Sequence, residues 1–195
     1  MPLIRFHRSA LPAQPWKNGG GVTREVLCLP EGSGFERFDW RVSIAHIASS
    51  GPFSAFPGVD RVITLLEGGG VHLRSADGAI DHRLDTPLAP FAFPGEASVH
   101  GELLGTDCHD FNVMTRRAAC SARVQVLREP GALPACAQGL LMAVGGGWRA
   151  NEGGEVLQLQ ADEGLWWHGS DRSWHLVPDS AQSALLAVSI EAKTP

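Results

Sequence analysis

Phe56-Pro57-Gly58-Val59-Asp60-Arg61-Val62-Ile63-Thr64-Leu65-Leu66-Glu67-Gly68 is the stretch on which the fold turns. A Pro-Gly breaker opens it and a glycine closes it. Between them, Val62 to Leu66 is almost continuously apolar and rich in β-branched residues. A short run of this kind, bounded by turn residues, reads as a strand buried on both faces. Asp60 and Arg61 stand at its head. A guanidinium there is planar, always charged and shaped to fork onto a carboxylate.

Upstream, Phe38-Asp39-Trp40-Arg41-Val42-Ser43-Ile44-Ala45 alternates large apolar residues with polar or small ones. Trp40, Val42 and Ile44 then share one face of a strand, and Arg41 and Ser43 the other. An arginine in mid-strand is costly if buried alone, so Arg41 must reach solvent, a carboxylate such as Asp39, or a bound anion. Nearer the N-terminus, Lys17 and Arg24 bracket Gly19-Gly20-Gly21, a run that permits close approach of a ligand or of another strand. Downstream, Asp107 to Arg116 holds Asn112 and Met114 in an otherwise apolar strand, where a buried Asn must find partners. His109, in the same segment, reads as a satisfied surface histidine. Further strand candidates are Leu3–Phe6, Thr23–Leu29, Gly70–Arg74, Ala89–Pro94, Ser98–Leu104, Ala122–Leu127, Leu140–Val144, Glu155–Gln160, Gly164–Trp167, Trp174–Leu176 and Ala184–Ile190. Some fifteen short strands at ~8–12-residue spacing predict an all-β sandwich or barrel.

The bulk composition agrees. With 23 Gly and 13 Pro spread over 195 residues, the chain favours many turns over long helices. The 44% hydrophobic content supplies a core for one domain or two small ones. A composition shift near Arg116-Arg117-Ala118-Ala119-Cys120 divides the chain into residues 1–118 and 119–195. The net charge of −5 gives no basic excess, which argues against nucleic acid and anionic membrane as partners. No segment approaches the ~20 apolar residues of a membrane span. The N-terminal Met1-Pro2-Leu3-Ile4-Arg5 lacks a signal-peptide order, so a cytoplasmic protein is expected. The four cysteines, Cys28, Cys108, Cys120 and Cys136, form no CxxC pair and read as reduced thiols. Gly145-Gly146-Gly147 lacks the following Lys-Ser/Thr of a phosphate loop and reads as a strand-end turn. Trp148, Trp166, Trp167 and Trp174 read as core of the second half. If exposed, they would mark an interaction face or a homodimer contact.

Several of these segments together resemble the HutD/Ves family of bacterial proteins associated with histidine utilisation. The matching pieces are Pro15 to Gly21, Thr23-Arg24-Glu25, Asp39 to Ser43, Gly51-Pro52-Phe53-Ser54, Phe56 to Arg61, Leu66-Glu67-Gly68 and Asp110 to Met114. They cover the first 120 or so residues densely and the rest only in general character. The resemblance implies a bicupin, two cupin-like jelly-roll β-barrels in one chain. It also implies a role near histidine catabolism, sensing or limiting an intermediate such as urocanate or formylglutamate.

Metal-dependent cupins place two His and a Glu on the inner face of the barrel, with the Glu seven positions before a turn glycine. Counting back from Gly68 in this chain reaches Arg61, and the histidine positions fall at or near Ser54 and Phe56. A cation and a phenyl ring cannot hold a divalent ion, and His100 has no companions, so neither a metal nor another cofactor is expected. The same exchange suits the cavity to a small anionic metabolite. Arg61 is the expected anchor, with Arg41, Arg24 and Lys17 as helpers. Trp40, Phe56 and Met114 are the expected walls, Asn112 an orienting group, and Glu67 or Asp39 a brace for an arginine. A regulator or buffer is the leading reading. A metal-free isomerase or hydrolase is the alternative, although the sequence shows no Gly-x-Ser-x-Gly elbow and no paired catalytic carboxylates.

Overall fold

A computed structural model describes residues 3–193 and is built almost entirely of β-strands. The backbone separates into two compact units. One comprises Pro12–Ser121 with Lys193. The other comprises residues 3–11 with Ala122–Ala192. The chain therefore passes between units just after the 118/119 division drawn from composition, and its opening strand, β1 (Ile4–His7), belongs to the later unit.

The first unit contains β2 (Ala13–Pro15), β3 (Gly21–Leu29), β4 (Trp40–Ile47), β5 (Gly51–Pro52) and β6 (Val59–Gly68). It continues with β7 (Val71–Ser75), β8 (Asp81–Leu84), β9 (Phe91–Pro94), β10 (Val99–Leu103) and β11 (Cys108–Arg116). A single helical turn, α1 (Gly34–Arg37), interrupts the passage from β3 to β4. Six strands pair in the order β2-β3-β4-β11-β6-β9, and four in the order β5-β10-β7-β8. Ile47, Ile63, Leu65 and Phe93 of the six-stranded sheet pack with Val71, Leu73, Leu84 and Val99 of the four-stranded one. Burial of each such Leu or Ile contributes about 1.5–3 kcal/mol, so this shared layer holds the two sheets together. The hydrogen-bonded sheets stay open, as two packed layers of a jelly roll rather than a continuously bonded barrel.

The second unit adds β12 (Cys120–Leu127), β13 (Gly131–Val144), β14 (Trp148–Glu152), β15 (Glu155–Leu159), β16 (Glu163–Pro178) and β17 (Ala184–Ala192). They form one sheet, β12-β17-β13-β16-β14-β15, with β1 paired to the start of β16. Gly164–Trp167 and Trp174–Leu176 turn out to be the two ends of a single 16-residue strand. Its polar middle, from His168 to Ser173, masked the continuity in the sequence. Register shifts between Leu133 and Gln138 let the β13–β16 pair bend, and Pro134 sits at that irregularity, where no ladder donor is needed. The bent sheet closes over a core containing Trp148, Trp167 and Trp174. The indoles of Trp167 and Trp174 meet at 5.6 Å between centroids. All four tryptophans of this unit are buried, and Val156 is the large apolar side chain most open to solvent among the described residues. No helix among those residues is long and apolar enough to cross a membrane.

Candidate functional site

Strands β4, β11 and β6 lie side by side, and their register sets the site. Met114 sits opposite Arg41 on one flank and Arg61 on the other. One step along the same face, Asn112 pairs with Ser43 and Ile63. A further step places Asp110 between Ala45 and Leu65. Strand alternation carries these residues inward as two-residue steps. The polar ones line a cavity of about 720 Å³, together with Trp16, Lys17, Asn18, Phe53, Ser54 and Phe56. The residues at the start of β6 face this cavity through Arg61. Ile63 and Leu65, further along, belong to the apolar layer.

Arg61 is only 6% exposed. Its Nε and Nη2 donate to Asn112 Oδ1, both at 3.4 Å, and its Nη1 donates to the Ser54 carbonyl at 3.5 Å. These are long contacts at the outer limit of useful hydrogen bonds. The guanidinium is also surrounded by Phe53, Phe56 and Phe93, whose ring centroids lie 5.4, 5.8 and 5.0 Å away. Such rings stabilise a cation without neutralising it. No carboxylate among the described residues forms an ion pair with Arg61. Burial lowers its pKa to about 10, so it is fully charged at neutral pH.

Arg41, 3% exposed, is held differently. Its Nε donates to Glu25 Oε2 at 2.8 Å and its Nη1 to Ser43 Oγ at 3.3 Å. Glu25 reaches it because β3 carries a bulge between Glu25 and Leu27. The bulge keeps both Glu25 and Cys28 on the inner face beside β4. The brace is thus Glu25, not Glu67 or Asp39. Glu67 is exposed at the far end of β6 and sits 3.3 Å from His109 Nδ1. Asp39 contributes backbone groups at the near end of β4, where its N–H donates to the Leu29 carbonyl.

Asp110 is 2% exposed, and burial pushes its carboxyl up to about 7 against the opposing pull of Arg61. Among the described residues it adds the one carboxyl group to the lining of the cavity. Its sequence context, between His109 and Phe111, resembles that of any strand-opening Asp. Its place two residues before Asn112 and four before Met114 nevertheless puts it on their face by strand alternation, a signal in the sequence that was passed over.

The Trp16–Gly21 segment forms the β2–β3 hairpin at the cavity's edge. Trp16 N–H donates to the Gly21 carbonyl, and Asn18 Oδ1 accepts from Gly20 N–H. A Cβ on Gly21 would lie 2.3 Å from the His46 carbonyl oxygen and 3.0 Å from the Trp16 ring. The glycine therefore permits strand and indole to pack, and Trp16 Nε1 donates to Thr23 Oγ1 at 2.7 Å. Lys17 is exposed on this hairpin.

Of the residues expected from sequence, the fold brings Arg61, Arg41, Lys17, Phe56, Asn112 and Met114 to one cavity. It places Trp40 and Arg24 on the opposite face of the sheet, since Trp40 precedes Arg41 and Arg24 pairs with Ile44. Glu67 also lies away from the cavity. His100 is exposed on β10. Among the described residues, no group of three His, Cys, Asp or Glu side chains converges on a point that suits a metal ion. All four cysteines are free thiols, and burial raises Cys108 and Cys120 to about 11.

Two all-β units of jelly-roll type, the first with a ligand-sized cavity among its inner-face residues, define a cupin-type protein. A likeness to the cupin 2 barrel protein of Leptotrichia buccalis, at 8% identity and a TM-score of 0.58 over 96% of each chain, supports that fold. The chain belongs to the HutD family, whose model matches residues 8–186. It is 40% identical to Protein Ves of Citrobacter koseri over 178 residues, which is 91% of this chain and 89% of that one. Among solved structures, it resembles a conserved protein of unknown function from Pseudomonas aeruginosa PAO1, with TM-score 0.86, 34% identity and 99% and 100% of the two chains covered. It also resembles HutD from Pseudomonas fluorescens SBW25, with TM-score 0.79, 30% identity and the same coverage.

Proposed function

We propose that the chain binds a small anionic metabolite in the first unit's cavity and acts as a regulator or buffer of histidine utilisation. A urocanate- or formylglutamate-type carboxylate is the ligand of that reading, and the cytoplasm its setting. Arg61 is the anchor. Arg41, fixed by Glu25, and Lys17 add positive charge. Asn112 orients the ligand, and Phe56 and Met114 wall it in.

The observation that carries the proposal is the state of Arg61. A buried cation is costly unless paired and hydrogen-bonded. Here three aromatic rings and three long contacts take the place of a carboxylate. An incoming carboxylate supplies the missing pair through a bidentate contact. Calorimetric titration with urocanate and N-formylglutamate tests this directly. Arg61→Ala is expected to remove about 1.5–3 kcal/mol, or roughly ten- to a hundredfold in affinity. Unchanged affinity in that variant excludes Arg61 as the anchor.

An enzymatic reading has one observation in its favour. The Asp110 carboxyl, pushed up to about 7, is suited to exchange protons at neutral pH. Conversion of either acid by the purified protein, followed by absorbance or NMR, separates turnover from binding alone.

A further inference from the structure

Asp110 is a carboxyl group in a cavity whose other charged lining residues, Lys17, Arg41 and Arg61, are all cations, and that placement needs a reason. Its neighbours across β4 and β6 are Ala45 and Leu65, neither of which carries a donor side chain. No described residue donates a hydrogen bond to its carboxyl oxygens, and these open onto the cavity although the residue as a whole is almost wholly buried. The group faces the cavity. A carboxyl on a buried residue without a protein donor calls for another partner, and one that opens onto a cavity finds it in whatever occupies the cavity, water or ligand. If the ligand were a plain anion, this carboxyl in its ionised form would repel it.

We propose that Asp110 is a second recognition point, and that the ligand is a carboxylate bearing an N–H donor which Asp110 accepts. The proposal rests on the anion-binding reading and narrows its ligand class. Geometry sets the separation. Asn112, in contact with the Arg61 guanidinium, and Asp110 are two residues apart on β11, about 6.8 Å along an antiparallel strand. A ligand whose carboxylate meets Arg61 reaches Asp110 with an N–H a few bonds away. The discrimination is of the strong kind, because an analogue without the N–H leaves a buried acceptor unpaired. Arg61 thus selects for charge, and Asp110 selects among anions.

Two acids that differ at one atom test this. N-acetyl-γ-aminobutyrate carries an N–H four bonds from its carboxylate carbon. 6-Oxoheptanoate has the same length and carbonyl with CH₂ in place of N–H. Each is titrated calorimetrically against the wild-type protein, Arg61→Ala, Asp110→Ala and Asp110→Leu. The wild type is expected to bind the amide at least about tenfold more tightly. Both Asp110 variants are expected to erase that preference by weakening the amide, while the oxo acid, freed of an unpaired acceptor, binds as well as before or better. The wild-type comparison stands even if neither variant folds. Equal wild-type affinities, with both acids lost in Arg61→Ala, overturn the role of Asp110 and leave the anion-binding reading intact. Binding of both acids that is indifferent to Arg61, or no binding of either acid, overturns both.

Discussion

Arg61 and Asp110 define the site at the scale of single residues, and they differ in how visible they are in sequence. Arg61 is legible because a cation at the head of a near-continuous apolar strand is physically anomalous. Asp110 was passed over, although alternation from Asn112 and Met114 carries it to their face; what the sequence does not show is its lack of a partner, which the pairing with Ala45 and Leu65 reveals. Its buried state makes a pH prediction. In the folded protein the carboxyl keeps its proton up to about 7, whereas in the unfolded chain it loses it near the ordinary ~3.9. Between these values the folded state binds more protons, so stability contributed by this group falls as pH rises from about 4 through 7. The charged groups around the same cavity are Arg61, Arg41 with its partner Glu25, and Lys17. Melting curves of wild type and Asp110→Asn at pH 5 and pH 8 check this. The variant is expected to gain stability relative to wild type on going from pH 5 to pH 8. A difference that does not change with pH contradicts the burial of an ionisable carboxyl there.

At the scale of elements, the cavity depends on how neighbouring strands are spaced. β10 approaches the segment after β5 closely at Gly101, where a Cβ would lie 2.5 Å from Phe53 Cε2 and 2.9 Å from Val71 Cγ2. Phe53 is one of the three rings around Arg61. Gly101→Ala therefore displaces a wall of the site without adding anything that touches the ligand. Overpacking of this kind costs about 1–3 kcal/mol. Carboxylate affinity is expected to weaken several-fold or more in this variant, measured by the same titration, and unchanged affinity separates Phe53 from the binding site. The strands that carry the site were readable from sequence, since β4, β6 and β11 have clear alternation or continuous apolar runs. The bulge in β3 was not, because an extra residue shifts register without changing composition. That one feature turns Glu25 toward Arg41, and alternation from Arg41 sends Trp40 to the other face. β8, with the sequence Asp81-His82-Arg83-Leu84, was missed for a related reason. Only Leu84 is buried, so there is almost no apolar pattern to detect.

The whole molecule sets binding against stability. Its cores are well supplied with apolar residues, and the second unit buries Trp148, Trp167 and Trp174 together. The first unit keeps two arginines and a carboxyl inside a β-sandwich, where well-packed apolar residues would be as stable or more so. The two-unit all-β architecture and the family were legible from Gly/Pro spacing and ordered motifs. The route of the first strand into the later unit was not, because long-range pairing leaves no local signature. Such internal polarity is a cost retained for function. Arg61→Met is expected to melt at or above the wild-type temperature, because it removes a buried charge and keeps the packing volume. The decisive measurement is a pair of melting curves, wild type and Arg61→Met, each with and without a saturating small carboxylate. The account predicts a ligand-induced rise in the wild type and a much smaller one in a variant that is at least as stable without ligand. A variant that still responds to the carboxylate as the wild type does would contradict it.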